Sequence, residues 1–178
     1  TDLALVWAVL AFVMNFVPNV GIILSVVPPV ILTLLELGWQ RALAVNATAV
    51  FLLSRELVMP MIERGWGRII NITTSLGTML RGGWTPYGPS KASAEALSAV
   101  MAADPEGTGA TTNVVIPGGV VNTPMIPAEA PFRREELLST DVMWPPVYWL
   151  CSDESNDVTG RRFLGIRWDA TKPAEVAS

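Results

Sequence analysis

Between residues 41 and 168 the sequence alternates between helix-type and strand-type segments. The run 41–64 has apolar residues at helical spacing, and the β-branched run 68–73 follows it. A strong helix at 89–104 precedes a second buried strand that begins at Thr111, and after two short helical segments the run 160–169 reads as a last strand. Strands joined through helices run parallel. The alternation therefore predicts an α/β fold, the rear half of a doubly wound parallel sheet.

The first part of the chain has a different texture. No charged residue occurs from Leu3 to Leu35, and about 18 such residues suffice for a membrane-helix candidate. Three prolines and Gly21 argue against one straight helix, because proline removes a backbone donor. A broken membrane-type helical segment over 1–38 is one interpretation, and a buried hairpin of a soluble protein is the other. Asp2, in place of a positive flank, argues against a secretory signal peptide. We expect a separate domain over 39–178.

Composition excludes several kinds of site. The net charge of −4 is not typical of nucleic-acid binding, and the single cysteine, Cys151, cannot form an internal disulfide. The chain has no histidine, which argues against a zinc site and excludes a histidine base. Acid–base chemistry in this chain must therefore use Tyr, Lys, Asp or Glu.

Tyr87 and Lys91 lie four residues apart at the start of an alanine-rich helix. Side chains at this spacing share one helix face. A tyrosine pKa near 10 is too high for a base at neutral pH, and a neighbouring ammonium is expected to lower that pKa. The pair is therefore a candidate for proton transfer, although the same spacing also occurs on ordinary solvated helix faces.

Other polar residues cluster where strands are predicted to end. Thr74 and Ser75 follow the first strand, and Pro117 with Gly118 follows the second. Ligands of such sheets bind at the carboxyl ends of the strands. Asn46 lies inside a helix, where asparagine is disfavoured. Each feature also has an ordinary explanation, namely local capping, hydroxyl-to-backbone bonding or a simple turn.

Taken in order, the motifs "NxxxxF", "INITTS", "YGPSK" and "IPGGVVNTPM", followed by "SDESNDVTGRRF", resemble the short-chain dehydrogenase/reductase family over about residues 39–168. The resemblance implies a partial Rossmann-like sheet, NAD or NADP as cofactor and a small-molecule carbonyl or alcohol substrate. No metal and no nucleic-acid partner are expected, as the composition already indicates. The resemblance further implies pairing into homo-oligomers through helices 41–64 and 89–104.

The resemblance also implies roles for individual residues. Tyr87 matches the catalytic acid/base, and Lys91 matches the lysine that holds the nicotinamide ribose and lowers the tyrosine pKa. Asn46 matches the asparagine that holds a water in the proton relay. Thr74 falls where most members have serine, so Ser75 stays open as a substitute. The remaining matches lie in the loop over the nicotinamide: Pro117, Gly118, Val120 and Thr123.

The apolar leader resembles a different family. Its "NFVPNVG" and "PPVILTLL" are similar to a stretch of autoinducer-2 exporter-like permeases, which predicts a fusion near residue 38. No "GxxxGxG" or "GxGxxG" precedes Asn46, and such glycines let the backbone approach the cofactor pyrophosphate. We therefore expect impaired oxidoreductase activity. The alternative function is a membrane permease fragment with an incidental soluble tail. The reductase portion is expected in the cytoplasm, with membrane contact if residues 3–35 insert.

Overall fold

A computed structural model describes residues 38–124, 126 and 129–172 of the chain. The leader segment 3–35, where membrane contact is predicted, lies outside the described residues. The chain divides into two units, Thr1–Ala42 and Leu43–Ser178. Only residues 38–42 of the first unit are described, so the architecture below is that of the second unit.

Helices and strands alternate as the sequence predicts. The first helix, α1, is a helical run from Gly38 to Glu63. The first strand begins at Gly67, one residue before its predicted start, and the second major helix begins with Tyr87 itself. The elements that follow α1 are β1 (Gly67–Ile72), α2 (Leu76–Met79), α3 (Tyr87–Ala103), β2 (Ala110–Ile116), α4 (Trp144–Leu150) and β3 (Arg162–Leu164).

The described strands form one parallel sheet in the order β1-β2-β3. Gly67 pairs with Ala110 at one end of the first ladder, and Val114 pairs with Arg162 at the start of the second. The predicted α/β fold with a parallel sheet is therefore confirmed. The last strand is shorter than the predicted run 160–169, because a 3-10 turn begins at Gly165. A side chain at Gly165 would collide with the carbonyl of Val142, so the backbone passes close to its neighbour there.

The core lies on the side of the sheet that α4 covers. Val115 of β2, Leu150 of α4 and Phe163 of β3 are each 0% exposed. Indole rings extend this core, since the Trp149 and Trp168 rings lie 6.0 and 6.1 Å from the Phe163 ring. Aromatic pairs at such separations add to the free energy gained by burial. This cluster fixes β3 against β2.

Helix α1 combines an irregular start with an apolar surface. Its residues Ala44–Thr48 form a π-helical segment, a distortion that often occurs at functional sites. Farther along, the side chains of Leu53, Leu57 and Met59 are more than half exposed. An apolar cavity of about 290 Å³ separates part of this helix from β1 and α3, lined among others by Phe51, Val58, Ile62, Ile69 and Met101. The helix therefore covers the sheet only partly.

By length and composition alone, α1 could cross a membrane, with a mean hydropathy of 1.5 and 6% burial in its most apolar window. A helix of a soluble protein can meet the same criteria. The sequence predicts a soluble-type helix over 41–64 and places membrane character earlier, in 3–35. Hydropathy thus marks α1 as a second candidate membrane segment, this one in the described part of the chain.

Candidate active site

One face of α3 points at the end of β1. Tyr87, Lys91 and Glu95 follow one another at intervals of four residues, so their side chains are stacked along the helix. Lys91 Nζ donates to the Ile72 carbonyl oxygen at 2.9 Å. Tyr87 hydrogen-bonds the side chain of Thr74, and Glu95 accepts from the Thr73 hydroxyl. Three side chains of one helix therefore contact three consecutive residues at the end of the strand.

Helix α3 can approach this corner because of its second residue. A Cβ on Gly88 would clash with the Met79 carbonyl oxygen at the end of α2. Only glycine leaves room for that carbonyl, and Gly88 directly follows Tyr87 in the chain. The close contact between α2 and α3 therefore places the tyrosine beside the strand end.

The Tyr87 hydroxyl is not activated in the way the sequence predicts. Burial raises the pKa of Tyr87 above its ordinary value, and the hydrogen bond with Thr74 lowers it only in part. The expectation that Lys91 lowers this pKa is wrong for the described structure, where the ammonium binds the Ile72 carbonyl. A buried phenol is harder to ionise because the phenolate loses its hydration. Tyr87 is therefore a protonated phenol at neutral pH.

Lys91 is partly desolvated as well. Burial lowers the pKa of its ammonium, since a cation is disfavoured away from water. An ammonium has three donors, and one of them goes to Ile72. The side chain is thus a half-buried cation held beside the strand end.

Thr74 and Ser75, both candidates for the substrate hydroxyl, have different environments. Ser75 is exposed and caps α2, where its Oγ accepts from the Thr78 backbone N–H at 3.2 Å. An N-cap oxygen satisfies an otherwise unpaired helix donor. Thr74 is partly buried and contacts Tyr87. The structure therefore brings Thr74, and not Ser75, together with the tyrosine.

Asn46 reaches the same region from α1. Its Nδ2 donates to Ser90 Oγ at 3.0 Å, and Ser90 Oγ donates to the Tyr87 carbonyl oxygen at 2.8 Å. Ser90 is fully buried. Asn46 lies within the π-helical segment. The carboxamide therefore joins α1 to the first turn of α3 through one serine.

The loop after β2 contains the other candidates. Gly118 has φ +89°, a conformation that favours glycine, and a Cβ there would meet the Ile166 side chain. Pro117 accepts from the Ile166 N–H at 3.2 Å, and the Val120 carbonyl oxygen accepts from Leu138 N–H at 2.9 Å. The Thr123 carbonyl oxygen accepts from Arg134 Nη1 at 3.1 Å. These hydrogen bonds tie the loop to later parts of the chain. In the described part of the structure, none of them joins the loop to Tyr87 or Lys91.

Two charged residues of the site were missed by the sequence reasoning. Glu95 continues the Tyr87–Lys91 face by one more turn, and this spacing could have revealed it. The other residue is Arg162 of β3, whose Nε lies 2.8 Å from Glu95 Oε1. The two side chains form an ion pair, although this nitrogen makes no hydrogen bond among the described residues. Arg162 Nη2 donates to the Thr74 carbonyl oxygen at 2.8 Å. The Glu95–Arg162 contact joins residues 67 positions apart, and no local pattern announces it.

The raised pKa of Tyr87 leads to a direct prediction. The chain has two tyrosines. Tyr148→Phe removes the other phenolic hydroxyl, so Tyr87 alone is titrated by its absorbance near 295 nm. We expect a midpoint above the ordinary 10.0. Thr74→Val should raise the midpoint further because it removes the hydrogen bond that lowers it, whereas Thr74→Ser should not. A midpoint below 10 in the Tyr148→Phe protein would show that burial does not dominate.

Comparison with known proteins agrees with this geometry. The profile of the family described as "short chain dehydrogenase" matches residues 8–133, well over half of the chain. The chain belongs to the short chain dehydrogenase family. The match begins inside the apolar leader, so the resemblance is not confined to 39–168 as the motifs led us to expect. The predicted fusion to a permease-type segment gains no support from this match.

Similar proteins are named as reductases, dehydrogenases or nodulation proteins. The chain is 36% identical over 137 residues to nodulation protein G of Rhizobium sp. (strain N33), covering 71% of this chain and 55% of that protein. It is 30% identical to acetoacetyl-CoA reductase of Cupriavidus necator, with 70% and 54% covered. A gluconate 5-dehydrogenase of Burkholderia cenocepacia, solved with NADP and tartrate, superposes with a TM-score of 0.63 at 27% identity, with 71% and 54% covered. The chain thus spans about half the length of the relatives it matches.

Proposed function

We propose that this chain contains the catalytic half of an NAD(P)-dependent oxidoreductase that interconverts a carbonyl and an alcohol. The observation that supports this most is the stacking of Tyr87 and Lys91 on one face of α3 against Thr74 and the end of β1. Relatives named as reductases and dehydrogenases support the reaction class. We assign Tyr87 as the acid/base and Thr74 as the hydroxyl that hydrogen-bonds the substrate oxygen.

The protonation state of Tyr87 favours reduction at neutral pH. Because burial raises its pKa, the phenol holds its proton and can donate it to a carbonyl oxygen as negative charge develops there. When a substrate binds beside Tyr87, the Thr74 hydroxyl can turn its single donor from the tyrosine to the same oxygen. Proton donation then leaves a phenolate at Tyr87, which must recover a proton before the next turnover. Asn46 acts through Ser90 and supports the first turn of α3.

The described residues fit one end of a nicotinamide cofactor. Lys91 uses one donor for Ile72, and we propose that the other two bind the nicotinamide ribose hydroxyls. The loop with Pro117, Gly118, Val120 and Thr123 would lie over the nicotinamide, as the family resemblance implies. When bound, the nicotinamide supplies or accepts the hydride, and Tyr87 donates or accepts the proton.

The sequence printed before Asn46 offers no glycine-rich motif for the other end of the cofactor. Its two glycines, Gly21 and Gly38, are 17 positions apart. A pyrophosphate needs a backbone without Cβ atoms at close approach. We propose that this chain by itself holds the nicotinamide end weakly and does not turn over a carbonyl substrate.

Nucleotide binding tests this proposal. Reduced nicotinamide mononucleotide and NADPH should bind the full chain with similar weak affinity, within about threefold, because both offer the same end to Lys91. Lys91→Met should weaken both equally. Saturation-transfer NMR on the nicotinamide protons measures each affinity without turnover. Thr171→Ala is the control, because that exposed residue hydrogen-bonds Asp169 and none of the candidate site residues in the described structure.

Two results would count against it. Binding of NADPH about a hundredfold or more tighter than the mononucleotide would mean that the adenosine half is held, which contradicts the proposed impairment. If the parent chain and Lys91→Met bind each nucleotide with the same affinity, then Lys91 does not hold the nicotinamide end, and the proposed site is refuted.

The exposed apolar surface of α1 favours self-association. Large exposed apolar patches mark interaction surfaces, and we propose a homo-oligomer through α1 and α3, as the resemblance implies. The alternative permease function, a membrane-inserted leader and the cytoplasmic location of the reductase portion remain hypotheses. Sedimentation in buffer and extraction from membranes with and without detergent distinguish a soluble oligomer from an inserted chain.

A further inference from the structure

The end of β1 is held by an ion pair as well as by the candidate catalytic side chains. Thr73 is the last residue that pairs with β2, since its N–H donates to the Val115 carbonyl oxygen at 3.3 Å. Beyond it the strand ladder has ended, and a backbone carbonyl there needs another donor. Arg162 provides one, because its Nη2 donates to the Thr74 carbonyl oxygen at 2.8 Å. A side chain of β3 thus replaces a missing strand partner.

Glu95 closes the contacts into a ring. Its Oε2 accepts from the Thr73 hydroxyl, and its Oε1 lies 2.8 Å from Arg162 Nε. The chain Glu95–Thr73–Thr74–Arg162–Glu95 therefore fixes two consecutive residues from both sides. Thr73 is only 4% exposed. The Thr74 hydroxyl, which contacts Tyr87, belongs to the residue that this ring holds.

A gain in stability alone does not explain this ring of contacts. The Arg162 and Glu95 side chains are 25% and 27% exposed, so both charges have lost most of their hydration. Well-packed apolar residues often stabilise a fold as much as a buried ion pair does. The directional part of the contact is the hydrogen bond from Arg162 Nη2 to the Thr74 carbonyl oxygen, while the charge of Glu95 keeps the guanidinium beside that carbonyl. An apolar side chain offers neither interaction.

We propose that Glu95 and Arg162 are positioning residues that aim the Thr74 hydroxyl at Tyr87. Without them, Thr74 can turn its hydroxyl to a nearby backbone group, as threonines at strand ends commonly do. The inference rests on the proposed function only for the catalytic meaning of the Thr74–Tyr87 contact. The contact itself can be measured without cofactor or substrate.

Titration of Tyr87 in the Tyr148→Phe protein provides the test. Glu95→Gln and Glu95→Ala carry the same charge, but only glutamine keeps polar atoms for Thr73 and Arg162. We expect Glu95→Ala to have a Tyr87 midpoint about half a pH unit or more above that of Glu95→Gln, the size of one lost hydrogen bond. The difference should disappear when Thr74→Val is added, because the contact is then already absent.

A second pair covers the case in which Glu95→Ala fails to fold. Thr73→Val removes the hydroxyl that binds Glu95 and Thr73→Ser keeps it, so the valine variant should show the higher midpoint. Equal midpoints within the pair that folds, or a shift that persists in the Thr74→Val background, would overturn the proposal. A shift as expected in a chain that binds no nicotinamide would leave this network standing and overturn the proposed function instead.

Discussion

Replacing Tyr87 by phenylalanine is expected to lower kcat about 100- to 10,000-fold once the chain is supplied with a complete cofactor site. The assay uses residues 39–178 fused behind the front half of the Cupriavidus acetoacetyl-CoA reductase, with NADPH, acetoacetyl-CoA and a panel of small ketones. The substituted ring keeps the size and apolar contacts of tyrosine but has no proton to donate. KM should change little, because the loss concerns the transition state.

Tyr148→Phe is the matched control, since the same hydroxyl is removed from a ring that is 77% exposed. It should leave kcat unchanged. A fusion that binds NADPH and reduces a ketone equally well before and after Tyr87→Phe would refute the assignment of the acid. A fusion that binds NADPH and reduces no ketone would count against the proposed reaction class.

Phe163→Ala should have the largest effect on stability. The ring is 0% exposed and packs with Val115 and Leu150, with the Trp149 ring 6.0 Å away. Removing a buried phenylalanine leaves a cavity and typically costs about 3–5 kcal/mol. That is a large part of the ~5–15 kcal/mol by which domains are stable. Urea unfolding at 25 °C measures the difference.

Phe132→Ala provides the comparison, because that ring is 45% exposed. Its free energy of unfolding should stay within about 0.5 kcal/mol of the parent protein. If Phe163→Ala costs less than about 1 kcal/mol, then the cluster around β3 is not the folding core.

The pattern of the sequence predicted the part of the fold that depends on local spacing. The β-branched run at 68–73 became β1, shifted by one residue, and the alanine-rich run became α3. The four-residue spacing also placed Tyr87 and Lys91 on one face. These predictions held because helix and strand periodicity fix the direction of neighbouring side chains.

Features that depend on distant contacts could not be predicted in this way. Thr74 and Ser75 look alike in sequence, and only the start of α2 makes Ser75 a cap. The pKa of Tyr87 is raised, whereas the sequence predicts that it is lowered, because burial of the ring is the larger effect. Arg162 reaches Thr74 only because β3 lies beside β2 in the sheet. Each of these features depends on how the helices and strands pack against one another.

The order of the described strands leaves β1 with a hydrogen-bonded neighbour on one side only. Among the described residues, no strand lies on the other side of the short run Gly67–Ile72, and its last residue Ile72 is 46% exposed. Such a border invites another extended chain to add itself in register. At high protein concentration, the same border predisposes the chain to pair with further copies of itself through β1.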